Sequence, residues 1–164
     1  MIRYARLKTP IGTLLATAKE GSLTGLYFDR QRHAPAIGDD WIVDPRAMPF
    51  ERCARQVAEY LDGKRKSFDL PLAPEGSEFQ RRVWTEIARI PHGATITYSE
   101  LAKRVGAPGS ARAAGAATGR NPISIVVPCH RVVGADGSLT GYAGGIERKA
   151  KLLQIEDARQ GALA

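Results

Sequence analysis

The chain has 164 residues, of which 43% are hydrophobic and 25% charged, so it can bury one ordinary core or two small ones and is not a disordered polymer. Two cysteines and three histidines with no Cys-x-x-Cys pair exclude a disulfide framework and a structural zinc site, and no apolar run approaches the roughly 18 residues that span a bilayer. The net charge of +7 is uneven: residues 1 to 76 hold 12 Lys/Arg against 10 Asp/Glu, net +2, and residues 77 to 164 hold 12 against 7, net +5, which points the second half towards a polyanion such as nucleic acid.

Ile2 to Leu7, Leu14 to Ala18 and Leu23 to Phe28 are short apolar or β-branched runs divided by Pro10-Ile11-Gly12 and Glu20-Gly21-Ser22, the pattern of an antiparallel meander. From Asp29 to Met48 the periodicity fails, and an irregular surface connection is expected. Pro49 opens a helix with Phe50, Cys53, Val57 and Leu61 on one stripe, ending at Asp62-Gly63. Cys53 falls on that stripe, where packing is its expected role.

Residues 73 to 76 read as a linker between an amino-terminal α/β domain, 1 to 72, and a carboxy-terminal domain, 77 to 164. Ser77 and Gln80 have capping-box spacing, and Phe79, Val83, Ile87 and Ile90 give the following helix an apolar face up to Pro91. Arg81, Arg82 and Arg89 lie mainly off that face and read as solvated. A short helix, capped by Ser99, then runs to Val105 and stops at Gly106-Ala107-Pro108-Gly109. A second begins at Ser110 and is made of small residues around Arg112. Two short helices with a tight glycine turn are either a helix-turn-helix or an ordinary helical hairpin; Lys103, Arg104, Arg112 and Arg120 favour DNA. Gly106 to Ser110 lacks the Gly-Lys-Ser/Thr ending of a phosphate loop.

The run from Asn121 to Arg131 sets Cys129 beside His130 and Arg131 at the end of an apolar, strand-like segment. An imidazole and a guanidinium beside a thiol favour its reactive thiolate, so Cys129 is a candidate nucleophile, with a buried structural cysteine as the alternative. A glycine-dense loop from Gly134 to Gly145 follows, able to bring backbone N–H groups against a flat ligand. A last helix runs from Ile146 to about Glu156.

Six elements occur in one order: Tyr98, Arg112, Asn121-Pro122, Pro128-Cys129-His130-Arg131, Tyr142-Ala143-Gly144-Gly145 and Glu156. In these the chain resembles the O(6)-alkylguanine-DNA alkyltransferases from about Phe79 to Glu156. The resemblance implies a small antiparallel sheet with a helix, ribonuclease-H-like, followed by a mostly α domain with a helix-turn-helix. It also implies single-use, irreversible transfer of an alkyl group from O(6)-alkylguanine, and from O(4)-alkylthymine, to Cys129.

By the same resemblance His130, through a water, takes the thiol proton, Glu156 orients His130, and Asn121 braces the turn. Tyr98 helps turn the nucleotide out of the duplex and donates to the purine N3, while Arg112 fills the vacated stack. Ser99, Ala113, Ala114, Gly115, Ala117 and Arg120 join Arg112 and Tyr98 as DNA-binding residues, their small side chains suiting a minor groove about 6 Å wide. Tyr142, Ala143, Gly144, Val132 and Arg131 form the base pocket, with backbone N–H groups near Ala143 and Gly144 meeting the departing guanine. Ala143 stands where some relatives have serine, so a backbone donor must serve there. No metal or cofactor is implied; the partner is double-stranded DNA, bound by a cytoplasmic monomer with cooperativity along DNA left open. Two alternatives remain: a damage-binding or regulatory helix-turn-helix protein without chemistry, and a cysteine hydrolase built on Cys129 and His130.

Overall fold

A computed structural model describes residues 1–139 and 141–161, with side chains through residue 157. The chain divides into two units, Met1–Glu75 with Pro122–Val126, and Gly76–Asn121 with Val127–Ala164.

In the first unit β1 (Arg3–Thr9), β2 (Gly12–Lys19) and β3 (Ser22–Phe28) form the expected antiparallel meander. A fourth strand was not legible: β4 (Ile42–Val43) pairs parallel with β1, giving a mixed sheet of order β3-β2-β1-β4. Helix α1 (Phe50–Leu61) packs on β1 and buries Phe50, Cys53, Val57 and Tyr60 completely. Each such large apolar side chain contributes about 1.5–3 kcal/mol over remaining exposed. The helix ends because Gly63 takes a left-handed φ of 77°, letting Gly63 N–H reach the Tyr60 carbonyl and Lys64 N–H the Glu59 carbonyl.

The stretch read as a linker is tied to this unit up to Glu75. Leu23 N–H donates to the Pro71 carbonyl at 2.8 Å, and Ala73 N–H to the Leu23 carbonyl at 2.8 Å. The residues 122–126 also belong to this unit, a long-range return that no local pattern announces. They form no strand, only a single parallel bridge between Ile123 and Leu26.

The second unit holds α2 (Glu78–Ala88), β5 (Ile96–Thr97), α3 (Tyr98–Arg104), α4 (Ala111–Gly119), a 3-10 turn (Cys129–Arg131), β6 (Val132–Val133) and α5 (Ile146–Gly161). The capping box on α2 forms as read, with Ser77 Oγ accepting from Gln80 N–H and Gln80 Oε1 from Ser77 N–H. The cap of α3 is Thr97, whose Oγ1 accepts from Glu100 N–H at 3.1 Å; Ser99 is the second residue of the helix. Trp84 on α2 donates its indole N–H to the Ala117 carbonyl of α4 at 2.8 Å. Gly76 makes room for that ring, since a Cβ there would lie 2.5 Å from it. Helix α5 runs beyond Glu156, to Gly161.

Candidate active site

Cys129 opens the 3-10 turn and is only 4% exposed. Its N–H donates to the Val127 carbonyl at 2.8 Å across Pro128, whose φ of −81° and ψ of 63° are those of an inverse γ-turn. The Asn121 carboxamide Nδ2 lies 2.9 Å from the same Val127 carbonyl and 3.1 Å from Cys129 Sγ. One buried amide therefore fixes both the turn and the thiol it presents.

Next in the chain, His130 and Arg131 both engage Glu156, which α5 brings up at 1% exposure. His130 Nε2 is 2.7 Å from Glu156 Oε2. Arg131 donates from Nε to Oε1 at 2.9 Å and from Nη2 to Oε2 at 3.0 Å, and from Nη1 to the Ile90 carbonyl at 2.6 Å. Gly93 N–H also donates to this carboxylate, at 3.2 Å. Burial lowers the His130 pKa, against the opposing pull of Glu156, so the ring is neutral at neutral pH. With Nε2–H donated to a carboxylate, Nδ1 is the basic nitrogen.

The electrostatics differ from the expectation that His130 and Arg131 promote the thiolate. Burial raises the Cys129 pKa, so the thiol is protonated at rest. Arg131 is committed to Glu156, and His130 is neutral. The opposing influences are the hydrogen bond from Asn121, the charge of Lys149 and a hydrogen bond with Tyr142.

Lys149 went unread in the sequence. It is fully buried on α5, with Nζ 2.7 Å from the Val132 carbonyl and 3.4 Å from that of Gly141, and it stands 6.0 Å from the centre of the Tyr98 ring. Its desolvation pulls its pKa down and the neighbouring Cys129 pulls it up. The available signal was spacing: Lys149 shares a helical face with Leu152 and Glu156, both buried.

Tyr98 begins α3 and its ring lies over Gly115 of α4, which it would touch at 3.6 Å if a Cβ were added. On α4, Arg112, Ala113, Ala116 and Arg120 are exposed and share one face, with Gly115 half-buried beside them. Ala114 and Ala117 were expected on that face and are not: they are 0% and 3% exposed, turned into the helical core. Ser99 is exposed in the first turn of α3. Tyr142 and Ala143 are half-buried and Gly144 buried, with the Gly144 carbonyl accepting from Arg148 and Gly145 N–H donating to the Tyr142 carbonyl. Val132 is 0% exposed and pairs with Ile96, and Arg131 has its three donor nitrogens on Glu156 and Ile90; both line the site from inside the protein.

Cys53 makes a contrast. It is buried on α1, and burial alone pushes its pKa to about 12. Among the described residues no cluster of His, Cys, Asp or Glu could hold a metal ion, and no helix is long and apolar enough to cross a membrane.

The two halves of the chain match two families: 6-O-methylguanine DNA methyltransferase, ribonuclease-like domain, over residues 2–74, and 6-O-methylguanine DNA methyltransferase, DNA binding domain, over residues 78–158. The chain is 47% identical over 156 residues to a methylated-DNA–protein-cysteine methyltransferase of Mycolicibacterium paratuberculosis, covering 95% of this chain and 93% of that one. A protein of the same description from Methanosarcina acetivorans is 45% identical, covering 93% and 97%. Among solved structures, Mycobacterium tuberculosis OGT in complex with DNA superposes with a TM-score of 0.87 at 46% identity, covering 96% of this chain and 94% of that chain.

Proposed function

The chain belongs to the O6-alkylguanine-DNA alkyltransferase family, which moves the alkyl group of O6-alkylguanine onto a cysteine of the protein itself, and from that premise we propose that Cys129 is the acceptor. The observation that carries this assignment is the buried chain of contacts Asn121–Cys129 and His130–Glu156–Arg131, with Lys149 beside the thiol. Cys53, the other thiol, has no base, amide donor or cation among the causes acting on its pKa.

The resting thiol is neutral, so transfer needs a base. His130 Nδ1 takes the Sγ proton through a water, and Glu156 holds the charge that forms on the ring. Lys149 and the Asn121 amide stabilise the sulfur as it becomes a thiolate. Sγ attacks the alkyl carbon, the new S–C bond forms as the C–O6 bond breaks, and the guanine leaves with the electron pair. Tyr98 donates to the purine N3 and backbone N–H groups near Ala143 and Gly144 meet the oxygen, so the leaving group need not depart as a bare anion.

The alkyl carbon lies on a stacked base, so the nucleotide must be turned out of the duplex, at a cost of a few kcal/mol. The exposed face of α4 meets DNA from the minor groove, with Arg112 filling the vacated stack and Arg120 on the backbone. Ala113, Ala116 and Gly115 let the helix approach closely. O4-alkylthymine offers the same O–CH2R electrophile and is a second substrate. The protein acts as a monomer in the cytoplasm, where the thiol stays reduced. A thioether is not a leaving group under physiological conditions, so each molecule reacts once.

Incubation with duplex DNA carrying O6-methylguanine, followed by intact mass and peptide mapping, tests this reading. One added methyl group on Cys129, abolished by Cys129→Ser, is expected. Methylation at Cys53, or repeated turnover as in a cysteine hydrolase, would overturn it.

A further inference from the structure

The five residues Pro122–Val126 belong to the amino-terminal unit, yet they join Asn121 to Val127 in the chain, the two residues whose amide and carbonyl brace Cys129. Their conformation is unusual. Val126 N–H donates to the Ser124 carbonyl at 2.8 Å, closing a γ-turn on Ile125, whose φ is 71°. A β-branched residue in that region is strained, and such a turn persists only where its surroundings over-determine it.

The restraints converge on Ser124, which is 2% exposed. Its N–H donates to the Leu26 carbonyl at 3.0 Å, and Leu26 N–H donates to the Pro122 carbonyl at 2.7 Å. Its hydroxyl donates to Oε1 of Gln31 at 2.8 Å, a contact across 93 positions of sequence. Gln31 is itself 6% exposed, and the same Oε1 accepts from Phe28 N–H at 3.0 Å, while Gln31 N–H returns to the Phe28 carbonyl at 3.2 Å. One side-chain oxygen thus ties the end of β3 to the residue that enters the strained turn.

We infer that Gln31 is a positioning residue for alkyl transfer. By pinning Ser124 it holds the Ile125 turn, and so sets the course on which the main chain reaches Val127, Pro128 and Cys129. This rests on the reading of Cys129 as acceptor. Gln31 touches neither the substrate nor the reacting atoms, and its effect belongs in the transfer step once DNA is bound.

The test measures single-turnover methyl transfer at saturating O6-methylguanine duplex, alongside DNA affinity and melting temperature, for Gln31→Leu, Gln31→Glu, Ser124→Ala and the Gln31→Leu/Ser124→Ala pair. Because displacement of a reacting group by even about 1 Å costs up to ~100-fold, Gln31→Leu and Ser124→Ala are expected to slow saturated transfer by about tenfold, with DNA affinity within about twofold. The pair should be no slower than the worse single variant, as both remove one contact. Gln31→Glu keeps the acceptor oxygen and should recover most of the rate. Ser124→Ala, which deletes a single hydroxyl, keeps the test valid if Gln31→Leu fails to fold. Wild-type saturated rates in Ser124→Ala, additive losses in the pair, or a loss confined to DNA affinity would overturn the inference. Failure of the acceptor assignment looks different: the parent protein itself would carry no methyl group on Cys129.

Discussion

Glu156→Gln removes one negative charge and little else, and the structure allows its cost to be worked out. The carboxylate is 1% exposed, and its donors include Arg131 Nε and Nη2, His130 Nε2 and Gly93 N–H. A glutamine offers one acceptor oxygen, and its amide N–H groups face donors. Arg131, 6% exposed, is left as a buried cation without its counter-ion. Removing one partner of such a pair costs about 3–5 kcal/mol. For a chain of this length, at about 2–4 °C per kcal/mol, the melting temperature should fall by roughly 6–20 °C.

The same change removes the group that raises the His130 pKa, leaving a weaker base, and general-base catalysis is commonly worth about 10²–10⁴ in rate. Transfer should slow at least tenfold at a temperature where the variant is still folded (about 1.4 kcal/mol or more on the barrier). Thermal melting followed by circular dichroism and rapid-quench single-turnover transfer measure the two effects. Arg131→Met/Glu156→Met, which replaces the ion pair by apolar groups, should regain much of the stability and none of the rate. A Glu156→Gln protein that melts within about 1 °C of the parent would falsify the view that this carboxylate is the buried counter-charge on which the site depends.

Lys149→Met keeps an unbranched side chain one atom shorter and deletes its charge, so the Cys129 pKa should rise further; the pH profile of thiol alkylation by iodoacetamide should move to higher pH and transfer should slow by about tenfold or more. Arg112→Ala should slow transfer from duplex DNA by about tenfold and from single-stranded DNA much less, because only the duplex needs its stack refilled; equal losses on both substrates would count against that role. The contributions of His130 and Cys53 to stability should be flat between about pH 6.5 and 9 and fall on either side. The folded His130 pKa is lowered, so below pH 6.5 the unfolded chain takes up a proton that the native state refuses, and stability drops with pH. The Cys53 pKa is raised from 9.0 to about 12, so above pH 9 the unfolded chain releases a proton that the native state keeps, and stability drops as pH rises, by about 1.4 kcal/mol per pH unit for each such thiol. Chemical denaturation at stepped pH checks both limbs.

Features with a local cause could be read from the sequence. The Ser77–Gln80 capping box, the apolar stripe of α1 and the Pro128–Arg131 segment depend on residues a few positions apart. What stayed illegible depends on tertiary partners. Two residues, Ile42 and Val43, become β4 only because β1 offers an open edge. Ala114 and Ala117 carry the same side chain as Ala113 and Ala116, so nothing in their chemistry tells which pair faces inward; Trp84 reaching the Ala117 carbonyl settles it. Thr97 and Ser99 are both good caps, and the β5 pairing that fixes Thr97 in an extended conformation chooses between them. Lysine is ordinarily a surface residue, and Lys149 is buried because the main-chain carbonyls of Val132 and Gly141 receive it.

The near-complete enclosure of Cys129 has a consequence for supply. Each lesion consumes one polypeptide, so repair capacity equals the number of unreacted copies, and any copy lost to a stray electrophile in solution is lost for good. A thiol 4% exposed and held protonated offers such reagents little to attack. On the proposed mechanism, a guanine delivered into the site, with His130 to accept the proton, brings the sulfur to reactivity. Low intrinsic reactivity, a defect in a catalyst that turns over, preserves the stock of one that does not.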